Sequence, residues 1–199
     1  MAFKEEFLAQ AAQFETLFAQ MFAGENQQLE EETEVANLLS AAAETPEKAD
    51  LIANLDNLVK VFNVVQLQSE MMSEFTRGTL SGAVKRLNSA DEKTPDDLLP
   101  MLLFMQNKLI KLHDQLDFFF GNFEEEDLKK GFSIARRSAV KVSFDASADK
   151  ERTANFVRTL KHQTLGYLKR VADLHDWLHG LLALIDKTLE NEGAQGFVN

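Results

Sequence analysis

Residues 157–185, VRTLKHQTLGYLKRVADLHDWLHGLLALI, decide the fold class. Their apolar positions recur in alternating steps of three and four, the heptad spacing of a helix that packs along one side. The stripe consists of Val157, Leu160, Thr164, Tyr167, Val171, Leu174, Leu178, Leu181 and Ile185. Ser147 can cap this helix and Gly193 can end it. The spacing therefore predicts a helix of about 42 residues, ~63 Å long at 1.5 Å per residue.

A second long helix is predicted to start at Thr45-Pro46-Glu47, because Thr can cap and Pro is favoured at the first helical position. Apolar residues follow it at helical spacing: Leu51, Leu55, Leu58, Phe62, Val65, Met72 and Phe75. The pattern continues to Leu87, which would give about 43 residues in one helix. Gly78 and Gly82 are the positions where a kink or a break is expected.

Shorter helices are predicted over residues 3–22, 30–43 and 98–120, the last after a second start signal at 94–97. The third of these is apolar on so many sides that it should lie at the centre of a bundle.

Residues 123–146 are harder to interpret. A short helix there should stop at Gly131, and the alternation of Val140, Val142 and Phe144 is typical of a strand. Because no partner strand is present, we expect helix or loop there instead.

These elements predict an all-α fold, an elongated antiparallel bundle of two helices of about 40 residues and several shorter ones. We find no repeat and no convincing domain boundary. The chain is therefore expected to form a single domain over residues 1–199, in which acidic helices within 1–44 pack on a bundle formed by 46–190.

The charge is distributed unevenly along the chain, which has 199 residues and a formal net charge of −11. Residues 1–59 hold twelve acidic groups and two Lys, whereas residues 129–170 hold eleven basic groups and three acidic ones. An acidic surface of this extent disfavours nucleic-acid binding. The basic stretch should pair with acidic residues of the same chain or of a second copy. The alternative is an anionic partner, bound by Arg136, Arg137, Lys141 and Arg152.

Several function classes are excluded by missing residues and motifs. The chain has no Cys, so disulfides, thiolate metal sites and thiol nucleophiles are ruled out. It has no GxxxxGK[ST] or GxGxxG phosphate loop and no His-Glu-x-x-His motif. The first residues lack the apolar core of a signal peptide, and no stretch is long enough to span a membrane. We expect a cytoplasmic protein without a cofactor.

His175 and His179 form the sharpest local site candidate. Two His four residues apart on a helix lie about 40° apart around its axis, so both imidazoles can reach one metal ion. His113 and Asp117 would complete the site if their helix packs antiparallel and in register. This predicts a metal- or haem-binding bundle as the alternative function. The simpler interpretation is that His175 hydrogen-bonds a neighbour and that His179 is exposed.

Arg170 and His175 resemble the Arg-then-His pattern of HEPN-type helical ribonucleases, in which Arg stabilises phosphate charge and His transfers protons. The resemblance covers six residues. It implies a less favoured third function, RNA cleavage by Arg170 and His175. Two features depart from that pattern: Val171 stands where a polar residue is usual, and the motif falls in the middle of a helix.

The chain contains sixteen Phe beside one Tyr and one Trp. Three consecutive Phe on a helix spread over about 200°, so they cannot all face one core. We therefore predict a non-enzymatic interaction protein, of adaptor, chaperone, inhibitor or coat type, that binds a protein partner or forms a homodimer. The predicted contact residues are Phe7, Phe14, Phe18, Phe118, Phe119, Phe120 and Phe123.

Overall fold

The structure, a computed structural model, describes residues 2–21, 27–89, 98–121 and 123–196. These residues form six α-helices: α1 (Ala2–Met21), α2 (Gln27–Ala41), α3 (Pro46–Ser89), α4 (Leu98–Gly121), α5 (Glu125–Lys141) and α6 (Ser147–Gly196). The prediction of an all-α bundle with two long helices is confirmed, since α3 has 44 residues and α6 has 50. The start signal predicted at 94–97 lies outside the described residues. Within those residues, none of the helices combines the length and apolar character needed to cross a membrane.

The chain divides into two compact units. Unit 1 comprises Met1–Met21, Ser69–Phe120 and Arg170–Asn199, and unit 2 comprises Phe22–Gln68 and Gly121–Lys169. Unit 1 thus contains α1, α4 and the later parts of α3 and α6, whereas unit 2 contains α2, α5 and their earlier parts. The single domain expected over 1–199 stays a prediction, with α1 in one unit and α2 in the other.

In unit 2, α3 begins where the Thr-Pro signal predicts. The Lys48 backbone N–H donates to Thr45 Oγ1 at 3.2 Å, which caps the helix. The Lys48 ammonium is buried, and its Nζ donates to the Ala42 carbonyl at 2.9 Å and to Glu44 at 2.7 Å. The buried charge is therefore paired and hydrogen-bonded, as burial of an ammonium requires.

Gly131 does not stop a helix, and that prediction is wrong. Helix α5 runs through it because buried apolar residues continue at helical spacing on both sides: Leu128, Phe132, Ala135 and Ala139. A Cβ at Gly131 would lie 3.4 Å from Leu58 Cδ2, so the glycine lies where α5 packs closely on α3. Val140 lies inside α5, and Val142 is buried just beyond its end, so their alternation is not that of a strand.

In unit 1, the Phe-rich helix α1 packs on α6. The Phe14 ring lies 5.0 Å from the Trp177 ring, and the Trp177 indole N–H donates to the Gln10 carbonyl at 2.9 Å. On the α3 side, the Arg77 guanidinium lies 4.4 Å from the Phe18 ring centroid. An aromatic pair, a hydrogen bond and a cation–π contact thus hold α1 to its neighbours.

Helix α3 continues through Gly78 and Gly82, so the predicted break does not occur. Phe75 was predicted to lie in its buried stripe and is instead exposed, whereas Thr76 is fully buried. The heptad step from Met72 leads to Thr76, and Phe75 projects about 100° away from it. The Thr76 hydroxyl donates to the Met72 carbonyl at 2.8 Å, so the buried hydroxyl has a hydrogen-bond partner inside the core.

Helix α4 was expected at the centre of the bundle, and the structure contradicts this. One face is buried, and it carries Met101, Leu102, Met105, Leu109, Leu112, Leu116 and Phe119. Apolar side chains on its other faces are exposed: Leu99, Leu103, Phe104, Ile110 and Phe118. With four helical segments in the described part of unit 1, α4 has neighbours on one side and apolar surface on the other.

Candidate metal centre

Helices α4 and α6 pack antiparallel in unit 1, and three side-chain contacts between them show their register. Three contacts along them are Gln106 to Asp186, His113 to His179 and Asp117 to His175. Successive contacts advance by seven and then four residues on α4 and go back by seven and then four on α6. Equal steps in opposite directions are what antiparallel helices in register require. This is the condition under which four ligand candidates come together.

We call His113, Asp117, His175 and His179 the metal cluster. His175 Nε2 lies 2.8 Å from Asp117 Oδ1, and His113 Nδ1 lies 3.3 Å from Asp117 Oδ2. One ligand atom from each of these three residues lies within 4.8 Å of the other two. Bonds of about 2.0–2.1 Å in a tetrahedron put ligand atoms ~3.3 Å apart. The cluster can therefore close around one ion with small side-chain adjustments.

His179 lies next to the three-residue group, but its ligand atoms are not among those within 4.8 Å of one another. It is exposed, and its ring centroid lies 5.8 Å from that of His113. The side chains of His113 and His175 are 22 % and 24 % exposed, and that of Asp117 is 56 % exposed. The metal cluster therefore lies at the surface of unit 1, where an ion can enter and exchange with solvent.

Asp176 lies behind His175. Its Oδ1 is 3.7 Å from His175 Nδ1, too long for a hydrogen bond but close enough for electrostatic attraction. If His175 binds an ion through Nε2, its proton is on Nδ1 and faces this carboxylate. At this distance Asp176 acts on the imidazole through its charge and makes no hydrogen bond that would orient the ring.

The same atoms also fit the simpler interpretation, a hydrogen-bonded network around Asp117. In the network each imidazole nitrogen that faces Asp117 carries a proton, whereas an ion needs the lone pair of that nitrogen. The two states therefore exclude each other at His113 and His175. They are distinguished by the tautomer of each ring and by its response to added metal.

Three of the predicted partner-binding Phe are buried. Phe7 and Phe14 face the core of unit 1, as does Phe119 on the inner side of α4. In the single chain these three side chains are covered by other helices, and their role as contact residues stays a prediction.

The remaining Phe do not share one environment. Phe18 is half-buried under Arg77, Phe123 is half-buried, and Phe118 is 75 % exposed. Phe120 lies in α4, and its side chain is outside the described ones. Among the predicted contact residues whose side chains the structure describes, Phe118 is therefore the one most fully exposed to solvent.

The four predicted anion-binding residues do not share one environment. Arg136, Arg137 and Lys141 are exposed on α5. Arg152 Nη1 donates to Glu34 at 2.9 Å, so it pairs with the acidic first third of the chain, as one interpretation predicted. Elsewhere in the basic stretch, hydrogen bonds from Lys129 to Glu125 and then Glu126 raise the pKa of Lys129 above its usual value.

The ribonuclease alternative built on Arg170 and His175 stays a prediction. They lie five residues apart on the continuous helix α6, which sets their side chains ~140° apart around its axis. His175 Nε2 is instead engaged with Asp117 of α4. The geometry thus gives no support to a ribonuclease site built from this pair.

Comparison with protein-family models, with curated proteins and with solved structures gives no match. The functional assignment therefore rests on the chemistry of the chain's own residues. The sequence interpretation also missed the exposed apolar side chains of α3 and α4. Their signal was present as a second heptad row on α3, at Met71, Phe75, Gly78 and Gly82.

Proposed function

We propose that the protein binds a divalent transition-metal ion through the metal cluster. One observation carries this proposal: His113 and Asp117 on α4 meet His175 and His179 on α6 in antiparallel register. Each helix supplies a pair of ligand candidates four residues apart, so each pair lies on one side of its helix. Ligand atoms of three of these residues, His113, Asp117 and His175, already lie within 4.8 Å of one another, and His179 lies beside His113.

The donor set indicates the class of ion. Imidazole nitrogen is a preferred ligand of Zn²⁺, Cu²⁺ and Ni²⁺, and one carboxylate adds a negative charge. Ca²⁺ and Mg²⁺ prefer oxygen ligands throughout. An ion suits the site better than haem, because the His113 and His175 ring centroids are 4.5 Å apart, too close for a porphyrin plane between them. Zinc is the natural probe.

Binding would join α4 to α6 and stabilise unit 1. An ion that binds the folded chain alone adds about 2.7 kcal/mol to its stability at a free concentration of 100 times Kd. The exposure of Asp117 and His179 favours an exchangeable ion that also keeps water ligands. We also propose a cytoplasmic location, in line with a chain that has no cysteine.

Zinc titration of the full chain by calorimetry tests the proposal. We expect one ion per chain, and at least about 100-fold weaker binding in His113→Ala and in His175→Ala, because loss of a ligand exceeds the 10–100-fold effect of its outer partners. Asp176→Asn should weaken binding by less than about tenfold, since Asp176 attracts His175 only through its charge and makes no hydrogen bond to it.

His162→Ala is the matched control. His162 is exposed on α6 in unit 2, outside the metal cluster, so its removal should leave zinc affinity unchanged. Co²⁺ spectra report the coordination geometry. Stoichiometry other than one, or an equal loss in His162→Ala and His175→Ala, contradicts the proposal.

A second role, as a non-enzymatic protein that binds a protein partner through helical faces, is favoured by the apolar side chains exposed on α4. Leu103, Ile110 and Phe118 belong to this surface. Exposed apolar surface of this kind often marks an interaction site. Sedimentation of the full chain tests the self-binding form of this role, for which a dimer should appear with rising concentration.

A further inference from the structure

The side of α3 opposite its buried stripe carries a second row at heptad spacing. In unit 1 this row consists of Met71, Phe75, Gly78 and Gly82, and we call it the outer row. Its steps of four, three and four keep it on one side of the helix. Met71 is 58 % exposed and Phe75 is 43 % exposed. Large apolar side chains in such a row are the pattern by which helices pair.

The outer row borders a groove of about 420 Å³ that is lined by α3 and α4. Its lining includes the buried apolar residues Met101 and Met105, and the exposed ring of Phe104. Glu74, Arg86 and Lys108 supply its charged groups. The groove therefore offers an apolar interior with charges around it, the composition of a protein interface.

The two glycines of the outer row are not required by packing within the chain. A Cβ at Gly78 or at Gly82 would meet nothing within 4 Å. Glycine is the least favourable helix residue after proline, so two glycines four residues apart need a reason. A helix from outside the chain that approaches closely at this point supplies one.

Size and charge are arranged in opposite order along this face. Its first half holds the large side chains Met71 and Phe75 together with the carboxylate Glu74. Its second half holds Gly78 and Gly82 together with two cations, Lys85 and Arg86. An antiparallel copy of the same helix puts large side chains against small ones and brings the acidic half of each face alongside the basic half of the other. A parallel copy puts Phe75 against Phe75 and like charges together, which is unfavourable.

We propose that α3 pairs antiparallel with α3 of a second copy of this chain, across a two-fold axis midway between Phe75 and Gly78. Phe75 of each copy lies against Gly78 of the other, and Met71 lies against Gly82. Each Phe75 also meets the groove that Phe104 borders. The interface uses the same patch twice, which is the arrangement of a closed homodimer.

Sedimentation velocity of the full chain, with EDTA present, tests the dimer without zinc. We expect a monomer–dimer equilibrium whose Kd rises about tenfold or more in Gly78→Gln and in Gly82→Gln, because the new side chain fills the space that Phe75 or Met71 needs. Gly180→Gln on α6 is the matched control, since a Cβ there also meets nothing within 4 Å. Its Kd should not change.

The melting temperature verifies that each variant folds, and no decrease is expected because a Cβ at each position meets nothing within 4 Å and Gln favours a helix more than Gly does. A wild-type chain that stays monomeric up to about 100 μM overturns the proposal. An equal effect of Gly180→Gln also overturns it. The EDTA keeps these outcomes separate from those of the zinc titration.

Cysteine cross-linking tests the orientation, in a chain that has no native Cys. A mixture of Met71→Cys and Gly82→Cys chains should form disulfides between the two variants on mild oxidation. In the antiparallel pair the two residues 71 lie ~16 Å apart along the axis, beyond the Cα separation of about 7 Å that a disulfide tolerates. Cross-links between two Met71→Cys chains in place of the mixed ones overturn the antiparallel pairing.

Discussion

Unit 1 and unit 2 are built alike but present different surfaces. In the described part of the chain, each combines two shorter helices with one stretch of α3 and one of α6. Unit 2 pairs charges within itself, as at Arg152–Glu34, Lys129–Glu125 and Lys48–Glu44. Among the described residues, unit 1 exposes a histidine cluster and seven large apolar side chains, Phe75, Phe104 and Phe118 among them, whereas unit 2 exposes four: Ile52, Val64, Leu67 and Val140.

This difference separates the contacts that stabilise the fold from the surfaces that we propose bind other molecules. Both units bury apolar rows at heptad spacing, and that burial is enough to define four packed helical segments. In unit 2 several charges pair with other residues of the chain, as at Arg152–Glu34 and Lys48–Glu44. In unit 1 the ligand atoms around Asp117 and the apolar outer row are open to an ion and to another helix. We therefore locate both proposed binding activities in unit 1.

The largest expected effect compares a buried Phe of unit 2 with an exposed Phe of unit 1. Phe132→Ala should lower the free energy of unfolding by about 3–5 kcal/mol, because it leaves a cavity in the core. Phe75→Ala should lower it by less than about 1 kcal/mol at concentrations where the chain is monomeric. Urea unfolding monitored by circular dichroism measures both.

Phe14→Ala in unit 1 is the control, since Phe14 is as buried as Phe132, each being 1 % exposed. It should behave like Phe132→Ala, which would show that burial decides the result and not membership of a unit. If Phe75→Ala costs as much as Phe14→Ala, then Phe75 packs inside the monomer. The outer row would then not be available to a second copy.

Most of the helices could be predicted because their signals are local. The steps of three and four in α6 and the Thr45-Pro46 start of α3 need no knowledge of distant residues. The errors arose where tertiary packing overrides a local preference. Gly131 was predicted to end a helix, but close packing on Leu58 gives it a place inside α5. Phe75 was assigned to the core for its hydrophobicity, although the heptad register selects Thr76.

Each of the two residue pairs of the candidate site could be predicted from the sequence, but their meeting could not. The spacing of His175 and His179 on α6 is visible in the sequence, and so is that of His113 and Asp117 on α4. Whether the two pairs meet depends on the register of two helices that lie about 60 residues apart in the chain, and no local pattern encodes it.

The same limit applies to the Phe-rich helix α1. An apolar face can be covered by the chain itself or by a partner, and only packing shows that Phe14 is covered internally.

A smaller effect compares one glycine from each unit. Gly78 in unit 1 and Gly166 in unit 2 both have space for a Cβ, with nothing within 4 Å. Each Gly→Ala change should raise the free energy of unfolding of the monomer by up to about 1 kcal/mol, because alanine restricts the unfolded chain and favours helix. Gly78→Ala should in addition weaken self-association, and Gly166→Ala should not. Equal weakening by both changes would remove the distinction between the two surfaces.

The smallest effect concerns one ion pair in each unit. Arg152–Glu34 in unit 2 is 2.9 Å long, and Arg77–Glu15 in unit 1 is 3.5 Å long. Both are about half exposed, so double-mutant cycles with Ala should give coupling energies of about 0.2–1 kcal/mol, reduced by salt. The shorter pair in unit 2 should couple more strongly, since Arg77 also stacks on Phe18 and keeps that contact when Glu15 is removed. A stronger coupling for Arg77–Glu15 would mean that unit 1 also relies on internal charge pairing. The contrast between unit 2, whose charges pair within the chain, and unit 1, where we locate both binding sites, would then be weaker.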